Sequence, residues 1–413
     1  MPEILSCIEH STLKLVTERA PFERALSLQH AALLEKLALT LPAGAISWGN
    51  QSVRFSQYCG VIQLGELTIE VLPKIHGKEL QPESCRAALI HMLYAARVLN
   101  SHKSGSAGIN TQNHTLLDIF VQHFCQDVHV LLLQGKLKSY VTQEDNLPVL
   151  RGRLAIPQHI KHNMVHRERL YCRFDEFSDD ILVNQIIRFT LKLLIPQVRS
   201  RQTKTTLHEL LMHFDGIHET AITIQTFKKL NNDRFSLRYQ PVIEQCRLFV
   251  SGMKPDILAG GIALFSLLFD MNRLFEAWVA ELLKPWAHQK GWYLRTQGPR
   301  RYLAQRQDNG HDVFQMRPDI AFVDEKDNVV MIADTKWKLL NSDDRKFGIN
   351  QADAYQLYAY AGRYSIPHVQ MIYPAQIGLG KSFKFQMAGV HQSMLTVKTV
   401  AIEKLKSLEW SIE

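Results

Sequence analysis

The sequence predicts an α/β multidomain protein. It should comprise a β-rich amino-terminal module, a helical and mixed connector, and a carboxy-terminal domain with a mixed central sheet flanked by helices. Three observations lead there. Short β-branched and apolar segments separated by Gly and polar turns fill residues 1 to about 78. From Pro82 the apolar period becomes helical. From Met271 onward, helix and strand patterns follow in the order αβββαβ, which a sheet covered by helices accommodates. The expected boundaries are 1–80, 81–255 and 256–413, and 413 residues suffice for two or three cores.

In the first module, Ile46-Ser47-Trp48 and residues 53–58, 61–64 and 67–75 read as strands, with one helix over 22–41. Trp48, Phe55 and Tyr58 are expected in its core, because no dense Lys/Arg pattern accompanies them as a base-stacking platform would require.

The connector opens with helices over 85–96 and 116–133, on either side of a Gly/Ser/Asn-rich loop at 101–113. A strand and loop follow at 136–145. Next comes a helix over 178–198, with Ser178 as its cap ahead of Asp179 and Asp180. Further helices are expected near 205–213 and 241–249. Arg151, Arg153, Lys161 and Arg169 belong to the densest basic run of the amino-terminal two thirds, which suits phosphates, an acidic partner or a solvated loop.

In the third region, residues 258–286 are largely apolar, broken by Gly260-Gly261 and Asp270. From Met271 the pattern is an amphipathic helix whose stripe runs through Leu274, Trp278 and Leu282, with Glu276 at its edge. Residues 292–297 read as a strand, and 351–364 as a helix carrying Asp353, Tyr355 and Gln356. Residues 369–373, 383–385 and 395–400 read as later strands, followed by a terminal helix at 400–409.

Between these lies the stretch with chemical content. Residues 316–323 and 329–336 form two β-patterned runs around the polar insert 324–328. Paired as an antiparallel hairpin, Val323 faces Val330, Phe322 faces Met331, and Asp319 falls opposite Asp334. The two-residue period puts Lys336 on the face of Asp334 and turns Thr335 away. Two carboxylates and an ammonium at the open end of an apolar hairpin suit phosphodiester hydrolysis. The acids would hold a divalent cation, and the lysine would position the attacking water or offset charge on the phosphate. Arg300, Arg301 and Arg306, and Lys338, Arg345 and Lys346 beyond the hairpin, are expected to contact DNA phosphates.

Composition narrows the classes. Hydrophobic residues make up 46% and charged residues 21%, which argues against disorder. A net charge of +8 and a pI near 9.1 are compatible with nucleic acid without requiring it. The six cysteines are widely spaced, with neither zinc-ligand nor disulfide-scaffold spacing. No basic leader and no uninterrupted apolar run of membrane-spanning length is evident, so the expected location is cytoplasmic, with no membrane partner.

Several motifs together carry a family resemblance. They are Met316-Arg317-Pro318-Asp319-Ile320, Ala333-Asp334-Thr335-Lys336-Trp337 and Asp353-Ala354-Tyr355-Gln356-Leu357-Tyr358, with Gly152-Arg153-Leu154, Phe174-Asp175-Glu176 and Asn184 upstream. The carboxy-terminal part resembles the PD-(D/E)xK nuclease superfamily. Residues 60 to 380 resemble, more narrowly, the McrC family of nuclease subunits from McrBC modification-dependent restriction systems. The resemblance implies that Asp319 and Asp334 bind metal, with Glu276 as a third acid, and that Lys336 is the catalytic lysine. Tyr355 and Gln356 would support the site from their helix. It implies Mg²⁺ as cofactor, double-stranded DNA with modified cytosine as target, and a McrB-like AAA+ GTPase hexamer as partner. GTP would sit on that partner, since this chain lacks a Gly-rich phosphate loop with lysine. The alternatives are a catalytically inactive assembly and GTPase-activating subunit, and a stand-alone DNA repair nuclease.

Overall fold

The computed structural model describes residues 3–20, 23–99, 115–165, 168–230, 237–253, 264–380, 382–388 and 393–402. The Gly/Ser/Asn-rich loop, Gly260-Gly261 and most of the expected terminal helix lie outside these residues. The chain divides into two compact units, 1–112 with 254–413, and 113–253. Residues 1–80 and 256–413 therefore fall together in the first unit.

The first unit contains a four-stranded sheet ordered Glu3–Ile8, Leu67–Leu72, Tyr58–Leu64, Leu264–Asp270. Its fourth strand comes from the apolar stretch before Met271 and runs antiparallel to Tyr58–Leu64, from Leu264 opposite Leu64 to Asp270 opposite Tyr58. Gly60 makes this pairing possible. A Cβ there would stand 2.0 Å from the Leu267 carbonyl oxygen, and its φ of +147° lies in the region that favours glycine.

Beside it, a small sheet is ordered Ala25–Ser27, Thr12–Val16, Ser52–Phe55, Ile46–Gly49. The helix expected over 22–41 is shorter, because Ala25–Ser27 pairs as a strand and Ser27 then caps Leu28–Ala38 by accepting from the His30 amide. Phe55 is in the core as expected. Trp48 is not, at 42% exposed on an outer strand, and Tyr58 is only half-buried.

A third sheet in this unit is six-stranded and mixed. Its order is Tyr293–Thr296, Ile320–Val323, Val329–Thr335, His368–Pro374, Met394–Val400, Ser382–Gln386. The pairs made by His368–Pro374 are both parallel. Helix Gln351–Tyr364 supplies the crossover that the first of these pairs needs. It covers the face carrying Ala321, Ile332 and Val369, through Leu357 and Tyr360. On the alternate face, Phe322 packs edge-on against Trp286 of helix Met271–Gln289, at 5.4 Å. That helix starts where Leu264–Asp270 ends. Asp270 caps it by accepting from the Asn272 amide, and the Met271 amide bonds to the Gln57 carbonyl.

The second unit packs helices Leu116–Leu133, Leu182–Leu194, Arg201–Met212 and Gln240–Gly252 beside a three-stranded sheet ordered Ser139–Leu147, Leu170–Ser178, Arg153–Leu154. Leu116–Leu133 has the bounds read from its period, and Thr115 with Asp118 forms a capping box. By length and mean hydropathy it could cross a membrane, although polar residues interrupt its apolar run. Yet Asp118, His123 and Asp127 on it are buried, and Phe124 packs on Phe249 at 5.5 Å, as in a core helix. The expected cap at Ser178 is wrong. Ser178 ends a nine-residue strand, its hydroxyl accepts from the Asp180 amide, and the helix begins at Leu182 without a side-chain cap.

Candidate functional site

The hairpin of the six-stranded sheet pairs Ile320 with Ala333, Ala321 with Ile332 and Phe322 with Met331. It then shifts so that Val323 meets Val329 rather than Val330. The turn explains the bulge. The Asp324 carboxylate accepts from the amides of Lys326 and Asn328 and from the Asn328 side chain, which draws residues 324–328 into a fixed loop and leaves one residue over in the second strand. At the other end the register holds, and Asp319 comes beside Asp334.

Thr335 does not turn away from this site. Its amide and hydroxyl both donate to Oδ2 of Asp319, at 2.9 and 3.1 Å, and so aim that carboxylate. Asp334 is 1% exposed. Its Oδ2 is ion-paired with Nζ of Lys336 at 2.7 Å. The Lys336 ammonium also lies 3.5 Å from Asp353 on the crossover helix. Glu276 comes from helix Met271–Gln289 and accepts from the side-chain amide of Gln297. The Gln297 backbone N–H donates to the Asp319 carbonyl at 2.8 Å, from a left-handed φ of +56°. One residue thereby ties the helix acid to the hairpin acid.

Electrostatics follow from this crowding. Burial, then the charges of Asp319 and Asp334, push the Glu276 carboxyl up to about 7. Burial, then Asp319, push Asp334 up to about 6. Asp319 is also raised, mainly by burial, against the bonds from Thr335. Burial works against the Lys336 ammonium, but Asp334, Asp353 and Asp319 outweigh it and raise its pKa. The site is a pool of mutually repelling carboxylates with one ammonium, and additional positive charge would relieve it.

The other expected residues divide. Gln356 donates to the Tyr360 hydroxyl at 2.8 Å, and Tyr360 donates to the Arg317 carbonyl at 3.2 Å, so Gln356 acts one layer behind Asp319. Tyr355 is 62% exposed, and its hydroxyl meets Gln351 on its own helix. Arg301 bonds the Arg363 carbonyl and lies over the Tyr364 ring at 4.6 Å, so it anchors the neighbouring hairpin Arg301–Gln305/Asp312–Met316. Arg306 is paired with Asp308. Lys338 lies 3.5 Å from Asp353. Arg300, Arg345 and Lys346 have exposed side chains. Sequence reasoning missed Gln297 and Thr335.

Among the described residues no group of three or more His, Cys, Asp or Glu is placed to hold a metal ion. The donor set is nonetheless all oxygen. Mg²⁺ commonly takes one or two carboxylates and completes its shell with water and substrate phosphate. The buried Asp334 carboxylate meets the Lys336 ammonium at 2.7 Å and is still raised by burial and by Asp319, a repulsion that a hard cation would relieve. The residues present fit such an ion.

Residues 53–374 match a family model described as McrBC 5-methylcytosine restriction system component. Among curated proteins, the type IV methyl-directed restriction enzyme EcoKMcrBC of Escherichia coli (strain K12) is 27% identical over 143 residues. That match spans 34% of this chain and 41% of the relative's length. Among solved structures, a chain of the half-complex of Thermococcus gammatolerans McrB AAA+ hexamers with bound McrC superposes with a TM-score of 0.72 at 16% identity. It covers 98% of this chain and 96% of that one. A chain of the Thermococcus gammatolerans McrBC complex gives a TM-score of 0.51 at 18% identity, covering 68% and 87%. At these identities the solved structures speak for the fold.

Proposed function

The chain belongs to the McrBC 5-methylcytosine restriction system component family, and from that premise we propose that it is the McrC-type subunit, a Mg²⁺-dependent DNA endonuclease of the PD-(D/E)xK kind. The observation that carries this reading is the convergence of Asp319, Asp334 and Lys336 at one end of the hairpin, with Glu276 beside them. Asp319 and Asp334 would hold the cation and Glu276 would complete the acidic set. When bound, a divalent cation supplies electrophilic stabilisation of the charge on the scissile phosphate. Thr335 and Gln297 keep the two arms of the site in register. Lys336, kept protonated by its carboxylate neighbours, offsets charge developing on the phosphate oxygens and orients the attacking water.

The partner is a McrB-like AAA+ GTPase that carries the GTP. The support is the fold likeness to a chain of an McrB–McrC assembly over 98% of this chain. The docking surface is the second unit's long strand pair and its neighbours, where Tyr140, Val149, Leu150, Met164 and Phe177 are exposed. The target is double-stranded DNA containing modified cytosine, supported by the family description, which implies work in the cytoplasm. The second reading, a catalytically silent assembly and GTPase-activating subunit, is favoured by the absence of such a three-residue metal group among the described residues.

Reconstitution with the AAA+ partner separates the two. Methylated and unmethylated DNA are incubated with GTP and Mg²⁺, and cleavage and GTP turnover are followed together. The nuclease reading expects cleavage that Asp334→Ala and Lys336→Ala abolish while GTP turnover persists. Cleavage unchanged in both variants rejects the site, and an absence of cleavage alongside stimulated GTP turnover establishes the silent subunit.

A further inference from the structure

Trp337 follows Lys336 just past the end of strand Val329–Thr335 and turns inward, 8% exposed. Its ring lies 5.2 Å from that of Phe275, at 57°. Phe275 is the residue before Glu276, so one indole touches both arms of the acidic site. The indole is itself held from a distant segment. Its Nε1–H donates at 2.7 Å to Oε1 of Glu9, just beyond strand Glu3–Ile8. The same oxygen accepts the Lys74 amide at 2.9 Å. Glu9 is 1% exposed and lies outside the stretch matched by the family model.

A carboxyl in that position is costly, and a leucine would pack there without a desolvation penalty. Burial lifts the Glu9 carboxyl to about 7, against the bonds from Lys74, Trp337 and Cys59. What the carboxyl supplies, and an apolar residue could not, is an acceptor that fixes the indole's rotation. Lys336 is fixed along its backbone by its amide's bond to the Ile372 carbonyl at 2.9 Å. The peptide on its other side goes wherever Trp337 goes.

We infer that Glu9 is a positioning residue for the Lys336 ammonium, acting through the Trp337 indole. The inference rests on the nuclease reading above. A displacement of about 1 Å in a reacting group can cost on the order of a hundredfold in rate, so loss of this tether should register in the chemical step while substrate binding is kept.

The test is single-turnover cleavage by the full chain with its AAA+ partner, GTP and Mg²⁺. Glu9→Ala removes the acceptor, and Trp337→Phe removes the donor while keeping a ring against Phe275. Each should slow cleavage at saturating DNA by roughly tenfold to a hundredfold, with the DNA concentration at half-maximal rate and the partner's GTP turnover unchanged. Glu9→Gln, which keeps an acceptor, should recover most of the rate. The double variant should be no slower than the slower single variant, because both cut the same tether.

Losses that multiply in the double variant overturn the inference, as do losses tracked by falling GTP turnover, which would mark a merely structural role. If Glu9→Ala fails to fold, Trp337→Phe decides alone: a wild-type rate overturns the tether. Lys336→Ala in the same series distinguishes the two levels. If it cuts like wild type, the nuclease reading fails and takes this one with it. If it is dead while Glu9→Ala and Trp337→Phe are unaffected, only the tether fails.

Discussion

The hairpin that ends at Asp319 and Asp334 and the strand pair Ser139–Leu147/Leu170–Ser178 are both antiparallel, and their burial is inverted. In the first, Ile320, Ala321, Phe322 and Val323 are all buried, and so is the charged Asp334. In the second, Tyr140 and Phe177 are 73% and 58% exposed and lie against each other at 5.2 Å. A protein that buries charge in one hairpin and exposes aromatics in another does both against the solvation gradient. Buried carboxylates gain from a cation, whereas exposed aromatics gain from a protein surface. Under the proposed function, the difference would separate a place for chemistry from a place for docking.

The largest effect expected across this comparison is on cleavage. Lys336→Ala should reduce the single-turnover rate by about a hundredfold to a thousandfold, and lower the metal-free melting temperature as well, because the buried Asp334 loses its ammonium partner. Cleavage measured well below the variant's melting temperature checks it, and a rate that returns there to the wild-type value would make Lys336 a structural ion-pair partner only.

Next is stability. Phe322→Ala should cost about 3–5 kcal/mol in denaturant unfolding, because the ring is fully buried against Trp286. Phe177→Ala should change stability by under about 0.5 kcal/mol, yet weaken stimulation of the partner's GTP turnover. Equal stability losses in the two variants would erase the contrast between the hairpins.

Smaller still is a pH effect peculiar to the acidic hairpin. Glu276 and Asp334 have folded pKa values raised to about 7 and about 6, so the unfolded chain gives up these protons first as pH rises. The metal-free fold therefore loses stability between about pH 4 and 7 and carries the full penalty above that window. Below about pH 4 both states are protonated and the penalty vanishes. Glu276→Gln should accordingly raise the metal-free melting temperature at pH 8 and leave it unchanged at pH 4, as a thermal-shift series would show. A larger gain at pH 4 would reverse the assigned shift. Cleavage by the wild type should fall only below about pH 6, since a cation on the site holds Asp334 ionised to lower pH than burial alone allows.

What the sequence makes legible here is what periodicity and local chemistry encode. Leu116–Leu133 and the helix bearing Glu276 show their stripes, and the Asp-x-Lys pattern after Pro-Asp places the acids at one end of a hairpin. The strand Leu264–Asp270 is harder, because Leu and Phe in a short apolar run suit helix and strand alike and its partner is far away in sequence. Ser178 misleads for a related reason. Its polar neighbours resemble a helix start, but cross-strand pairing with Ser139 takes it into a sheet. Gln297, Thr335 and Glu9 are invisible beforehand, since each matters only through a tertiary partner. The turn held by Asp324 shifted one end of the hairpin and spared the other, so the acids came together although the register near Val330 had slipped.

The strand Leu264–Asp270 also bears on how such a chain can be inherited or cut apart. Helix Met271–Gln289, with Glu276 on it, begins at the last residue of a strand zipped to Tyr58–Leu64. A fragment starting near residue 256 would carry the six-stranded sheet but leave that strand as a naked apolar edge, inviting self-association. Recombination between relatives should accordingly spare joins at this point, and an exchange that preserves solubility should bring residues 1–72 along with the carboxy-terminal half.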